Sequence, residues 1–157
     1  MRRPIIGVMG PGEATTGECE AARTIGRLVA EGGALLLCGG GGGVMEAAAR
    51  GAVEAGGEVI GILPGFEGGE ANKYVTISIA TGMSHARNAI NVRSSQAVIA
   101  ISGSYGTLSE IALALKSGKK VFALNSWRLD MIGCEDENFV IVESPEEAAG
   151  RALKAVG

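Results

Sequence analysis

Short apolar runs recur along the chain, each closed by glycine and followed by a stretch with helical spacing. Residues 4–9 form the first such run and predict a buried strand, broken by Gly10-Pro11-Gly12. Thr15-x-x-Glu18 then reads as a capping box, and Ala21, Ala22, Ile25, Leu28 and Val29 fall on one helical face. Gly32-Gly33 ends that helix. Residues 34–38 predict a second strand. Five consecutive glycines follow, Gly39, Gly40, Gly41, Gly42 and Gly43, and Val44-Met45-Glu46-Ala47-Ala48-Ala49 opens a second helix. Gly56-Gly57 closes it, and residues 58–63 form a third strand ending at Pro64-Gly65.

Residues 66–73 are polar and glycine-containing, a rim or lid loop. Residues 74–80 alternate and are β-branched, which predicts a fourth strand; a helix follows over 84–94. Residues 97–101 read as a strand buried on both faces. Leu108, Ile111, Ala112 and Leu115 mark a helix over 107–116, and a sixth strand spans 120–124. Residues 125–138 carry no clear period. Residues 139–142 predict a last strand, and Ser144-Pro145-Glu146-Glu147 is a helix start with proline at the first position. This alternation predicts an α/β protein: a doubly wound, mostly parallel, Rossmann-like sheet of six to seven strands with helices on both faces. No linker interrupts it, so residues 1–157 read as one domain. Ligands of such sheets bind beyond the carboxyl ends of the strands, at the switch point.

Composition narrows the function. Aromatic residues are 4% against 46% hydrophobic residues overall, so the core is aliphatic. Glycine, at 26 of 157 residues, exceeds the usual share of roughly 7% without any period, so collagen is excluded. Fourteen basic against 17 acidic residues give a net charge of -3, which argues against nucleic-acid or membrane-surface partners. The cysteines Cys19, Cys38 and Cys134 are widely spaced and odd in number, as in a reduced cytoplasmic protein; no zinc spacing is present. The start, Met1-Arg2-Arg3-Pro4, runs directly into a strand, so neither a signal peptide nor a membrane span is expected.

Three turns at the predicted ligand edge carry the chemistry. Five glycines between a strand and a helix let the backbone approach a ligand closely, and the helix amides favour an anion; the same glycines also suit tight helix–sheet packing. The second turn runs Ser102-Gly103-Ser104-Tyr105-Gly106-Thr107-Leu108-Ser109-Glu110. Ser104, Thr107 and the backbone amides suit a phosphate. Glu110 lies off the apolar stripe, and two readings stay open for it: a site carboxylate, or the acid of a capping box Thr107-x-x-Glu110. The third turn is Met83-Ser84-His85-Ala86-Arg87-Asn88. With Ser84 as cap, Arg87 stands where a capping box has glutamate. A cation in the first turn costs about 0.3–1 kcal/mol, and a bound anion reverses the sign.

Together these turns resemble the superfamily of the Lonely Guy phosphoribohydrolases and the molybdenum-cofactor carrier proteins, some of whose members were labelled lysine decarboxylases. Gly103, Gly106, Thr107 and Glu110 match the family's P-G-G-x-G-T-x-x-E, with Ser102 at the proline and Ser104 at the second glycine. Arg87 matches the arginine of M-x-x-R-K, with Asn88 at the lysine; Gly43 and Met45 match the glycine-rich motif, with Cys38 at its first glycine. The departures place the chain nearer the small carrier-like branch. The resemblance implies that Arg87 and Glu110 serve catalysis in a hydrolase that cleaves nucleoside 5′-monophosphates to base and ribose 5-phosphate. Gly39, Gly40, Gly41, Gly42, Gly43, Met45, Gly103, Ser104, Tyr105, Gly106 and Thr107 would bind the phosphate or nucleotide. The alternative is a non-catalytic carrier or sensor of molybdopterin or a nucleotide. No required cofactor or metal is implied, and a homodimer or larger homo-oligomer is. Pyridoxal-phosphate chemistry is not, since none of the five lysines lies in the three turns.

Overall fold

The computed structural model describes residues 2–130 and 135–157; Cys134, read above as one of three separate thiols, lies outside them. Among the described residues, strands β1 (Ile5–Met9), β2 (Leu35–Cys38), β3 (Val59–Leu63), β4 (Ile77–Ala80), β5 (Ala97–Ile101), β6 (Lys120–Leu124) and β7 (Phe139–Val142) form one sheet. Its order is β4-β3-β2-β1-β5-β6-β7. Every pairing is parallel, so "mostly parallel" becomes all parallel, with seven strands. The helices are α1 (Thr16–Glu31), α2 (Val44–Glu54), α3 (Arg87–Ser94), α4 (Tyr105–Lys116) and α5 (Pro145–Val156). Among the described residues none is long and apolar enough to cross a membrane.

The chain winds outward from β1 to β4, returns to β5 on the other side of β1, and winds outward again to β7. That reversal opens the crevice between the ends of β1 and β5. The residues of β5 alternate between two aliphatic layers: Ala97, Ile99 and Ile101 face α1, α2 and α5, while Val98 and Ala100 face α3 and α4. The strand is buried throughout, as its unbroken apolar run predicts.

The predicted caps of α1 and α5 are present. Thr15 and Glu18 form the reciprocal capping box, and the Ser144 hydroxyl accepts the Glu147 amide. Three starts differ from expectation by two residues or more. β4 begins at Ile77 rather than 74, because the Thr76 hydroxyl bonds both the amide and the carbonyl of Val59, and the Asn72 side chain accepts the Tyr74 amide. The Asn72 turn takes the amides of Tyr74 and Val75, and the Thr76 hydroxyl joins its own amide on Val59, so regular pairing begins only after them. The helix expected from 84 opens as a 3₁₀ turn, Ser84–Ala86, with Ser84 at φ 51°, so Ser84 is not the cap and Arg87 is the first α-helical residue. α4 starts two residues before the expected 107.

Two helices cover the α3 side of the sheet, against three on the other. β4 is left bare there: Ile77 and Ile79, in register with Ile60 and Ile62, are 43% and 46% exposed.

Candidate functional site

At the crevice lies a cavity of about 320 Å³. Its lining draws on every strand end that faces the switch point: Val8, Met9, Gly10 and Gly12 from β1, Gly39 and Met45 after β2, Ser104, Gly106 and Thr107 after β5. His85, Arg87 and Asn88 come from the start of α3, and Glu110 from α4. Of the residues singled out by sequence, Gly39, Met45, Arg87, Ser104, Gly106, Thr107 and Glu110 therefore share one cavity. Gly40, Gly41, Gly42, Gly43, Gly103 and Tyr105 do not line it.

The glycines divide by what surrounds them. A Cβ on Gly39 would lie 2.8 Å from the Arg87 Nη2, so glycine there admits the guanidinium against the backbone. Gly40 and Gly43 serve packing instead. Both have positive φ, and a Cβ would meet Leu63 at 2.3 Å in the first case and the Pro11 carbonyl at 2.4 Å in the second. Asn72 holds the turn from outside, its amide donating to the Gly40 carbonyl and its Nδ2 to the Gly41 carbonyl, both at 2.8 Å. The Pro11 carbonyl accepts the first helical amide, that of Val44. From the five-glycine turn and the helix start after it, Gly39 and Met45 line this cavity.

The turn after β5 is shaped differently. Ser102 adopts φ 59°, a value proline cannot reach, which accounts for serine at the family's proline position. Its hydroxyl donates to Glu18 Oε1 at 2.6 Å. That bond, followed by the Thr15 amide, holds the Glu18 carboxyl below its ordinary range and ties the start of α1 to this turn. Ser104 is the N-cap of α4: its hydroxyl accepts the Thr107 amide at 3.4 Å, and its carbonyl accepts the Leu108 amide at 3.0 Å. The Tyr105 and Gly106 amides have no protein acceptor among the described residues. The Tyr105 ring does not line the cavity and stacks on Trp127, whose indole N–H donates to the Ser104 carbonyl at 3.0 Å. A Cβ on Gly103 would press on that indole at 2.9 Å.

With Ser104 as cap, Thr107 is the third residue of the helix, and the Thr107–Glu110 capping box does not form. Glu110 is buried, only 6% exposed, although it lies off the helix's apolar stripe. The surface it meets is the polar face of α3. Asn91 Nδ2 donates to its Oε1 at 2.8 Å, while Asn88 Nδ2 donates to the Ser109 hydroxyl at 3.0 Å. Burial pushes the Glu110 carboxyl up to about 7, against the Asn91 bond and the positive charge of Arg87, which pull it down. Arg87 Nη1 donates to the Asn88 side-chain oxygen, and its Nε is buried without an acceptor. Among the described residues no carboxylate oxygen lies within 4 Å of the Arg87 guanidinium.

Several lining or supporting residues escape the sequence reading. Gly10 and Gly12 break the strand, as their sequence predicts, and also line the cavity. Cys38 lies buried at the end of β2, its thiol pushed up to about 11 by burial against the bond from the Gly40 amide. Asn72 and Trp127 act from loops whose partners are distant in sequence, so no local pattern announces them.

Comparisons with known proteins agree along the whole chain. An uncharacterized protein of Archaeoglobus fulgidus is 45% identical over 150 residues, covering 96% of this chain and 95% of its own. The molybdenum cofactor binding protein of the phototrophic bacterium Rippkaea orientalis superposes with a TM-score of 0.89 at 44% identity, covering 99% of this chain and 98% of that one. The molybdenum cofactor carrier protein of Chlamydomonas reinhardtii superposes with a TM-score of 0.88 at 36% identity, covering 98% of each. The resemblance read from the three turns, to the carrier-like branch, therefore holds. The profile of the SLOG cluster4 family matches residues 3–149, and the chain belongs to that family.

Proposed function

We propose that this protein binds a phosphorylated, pterin-type small molecule of the molybdenum-cofactor kind and holds it without turnover. One observation carries the reading: among the described residues Arg87 has no carboxylate within reach, and it lines the same cavity as the α4 start, where two amides lack acceptors. A phosphate there completes both, and it turns the cation at the first residue of α3 from a cost into a contact. The volume of about 320 Å³ suits a small ligand. The names of the Rippkaea and Chlamydomonas neighbours support the carrier reading over the hydrolase one.

The expected result is stabilisation by a phosphorylated pterin in a thermal-shift titration, following RT ln(1 + [L]/Kd). Arg87→Ala is expected to weaken binding roughly 10- to 100-fold, the equivalent of one charge-assisted bond of about 1.5–3 kcal/mol. If neither inorganic phosphate nor a phosphorylated pterin shifts the melting temperature, the proposal falls.

The hydrolase reading keeps one supporting observation, since Arg87 and Glu110 line the same cavity. Its signature is ribose 5-phosphate released from AMP or a related monophosphate, and absent with Glu110→Gln. Such release would displace the carrier reading.

The bare strip of β4 fits self-association, as the family resemblance implies. Ile77, Ile79 and the neighbouring Met83 expose an apolar surface on an unpaired sheet edge. Light scattering is expected to show an oligomer that Ile79→Lys converts to monomers; a monomeric parent protein would remove this part of the proposal.

A further inference from the structure

The cavity has two polar ends of opposite character. The α4 start offers amide donors, and Arg87 adds positive charge to the cavity, within electrostatic reach of Glu110. One helical turn further along the same face stands an acceptor, Glu110, about 4.5 Å along the axis from Thr107 at 1.5 Å per residue. Asn91 occupies Oε1; Oε2 accepts no hydrogen bond among the described residues, and the side chain lines the cavity. Asn91 Oδ1 is also buried without a donor among the described residues. Glu110 Oε2 is not among the buried unpartnered atoms, so it meets solvent at the cavity, where a donor on a ligand can take the place of water.

The surroundings say which kind of donor. The remaining wall includes Val8, Met9 and Met45 and the bare backbone of Gly10, Gly12 and Gly39. The three glycines leave the backbone bare beside these apolar side chains, a surface suited to the face of a flat ring. A ring seated there with its phosphate at the α4 start directs its far edge to Glu110. We infer that Glu110 reads the amidine-type edge of a 2-amino-4-oxopyrimidine, the ring N–H and exocyclic amine shared by guanine and pterins. Carboxylates pair with such two-donor edges as they pair with the fork of arginine. The inference rests on the binding reading above, and adds to it what the deep end of the site selects.

The charged and titratable groups around Glu110 are few. Arg87 and the neutral amides of Asn88 and Asn91 face it from α3, His85 stands in the turn before α3, and Cys38 lies within electrostatic reach on β2. β5 contributes only aliphatic side chains. A ligand that donates two hydrogen bonds favours the ionised carboxylate, so its binding releases a proton and strengthens as pH rises through about 7.

The test compares GMP, IMP and ribose 5-phosphate by titration calorimetry at pH 8. GMP and IMP differ only in the exocyclic amine. GMP is expected to bind at least tenfold more tightly than IMP, with the preference lost in Glu110→Gln. The GMP-to-IMP affinity ratio, in which the phosphate titration cancels, is expected to rise from pH 6 to pH 8. Neopterin 3′-monophosphate tells the two ring sources apart, and tight binding of either ring supports the inference. Ribose 5-phosphate binding with equal affinities for GMP and IMP, and no preference for the pterin, overturns the inference and leaves the phosphate site standing. Failure of all four compounds to bind overturns both. A ratio that falls with pH overturns the carboxylate's role, and the comparison on the parent protein needs no variant.

Discussion

Replacing Glu110 with glutamine is expected to stabilise the protein at pH 8 while removing its ring preference. In the folded chain the carboxyl titrates near 7 because burial penalises its charge; the ordinary value is 4.5. Between those values the native state holds a proton that the unfolded chain has released. Stability contributed at this position is therefore greatest at low pH, declines as pH rises from about 4.5 to about 7, and stays low above that. The gap corresponds to roughly 3 kcal/mol at about 1.4 kcal/mol per pH unit. Glutamine keeps the shape and the acceptor for Asn91, and it does not ionise. Its melting temperature is expected to match the parent near pH 4.5 and exceed it at pH 8, at roughly 2–4 °C per kcal/mol for a chain of this size. Glu18 pulls the other way, since its lowered titration gives stability that is lost as pH falls. The difference between parent and variant cancels that contribution. A variant that melts at or below the parent at pH 8 would show the Glu110 carboxylate to be well paired in solution. A carboxylate kept at such cost to stability marks a position held for binding or chemistry.

A second large effect is expected where α1 crosses α2. A Cβ on Gly26 would stand 1.9 Å from the Ala48 carbonyl oxygen, and one on Gly51 equally close to that of Arg23. Both obstacles are backbone, so no side-chain rotation relieves them. Alanine at either position must push the helices apart and open the aliphatic layer that holds Ile25, Val29, Ala48 and Ala52. Gly51→Ala is expected to lose about 3 kcal/mol or more, beyond ordinary overpacking, even though alanine favours a helix by about 1 kcal/mol. Gly150→Ala in α5 is the control. Nothing lies within 4 Å of its Cβ position, so only the helix preference remains and a gain of up to about 1 kcal/mol is expected. Denaturant midpoints of the two variants should move in opposite directions. A neutral Gly51→Ala would mean that this crossing is looser than the contact implies.

Much of this architecture is legible because local signals agree with the long-range ones. The unbroken run 97–101 reads as a doubly covered strand and is one; Thr15 and Glu18 read as a reciprocal cap and form it. The failures share a cause. Two hydroxyl residues compete to cap α4, and Ser104 outcompetes Thr107 because Trp127 fixes its carbonyl from 23 residues away. Glu110 looks solvent-facing on its own helix, since its burial is set by the asparagines of another helix, α3. The five glycines look alike in sequence, and only the distant neighbours Arg87, Leu63, Pro11 and Asn72 separate the one at the cavity from those that pack.

The indole bonded to the Ser104 carbonyl has a practical side. Trp127 is the only tryptophan of the chain, and it is anchored to the turn that opens α4. Its emission depends on the polarity and hydrogen bonding around that ring, so the protein carries an optical reporter a few atoms from its own cavity. Any rearrangement of residues 104–107 reaches the fluorophore through one hydrogen bond and one stacked ring, Tyr105. Occupancy of the crevice can thus be followed in unlabelled protein and in real time.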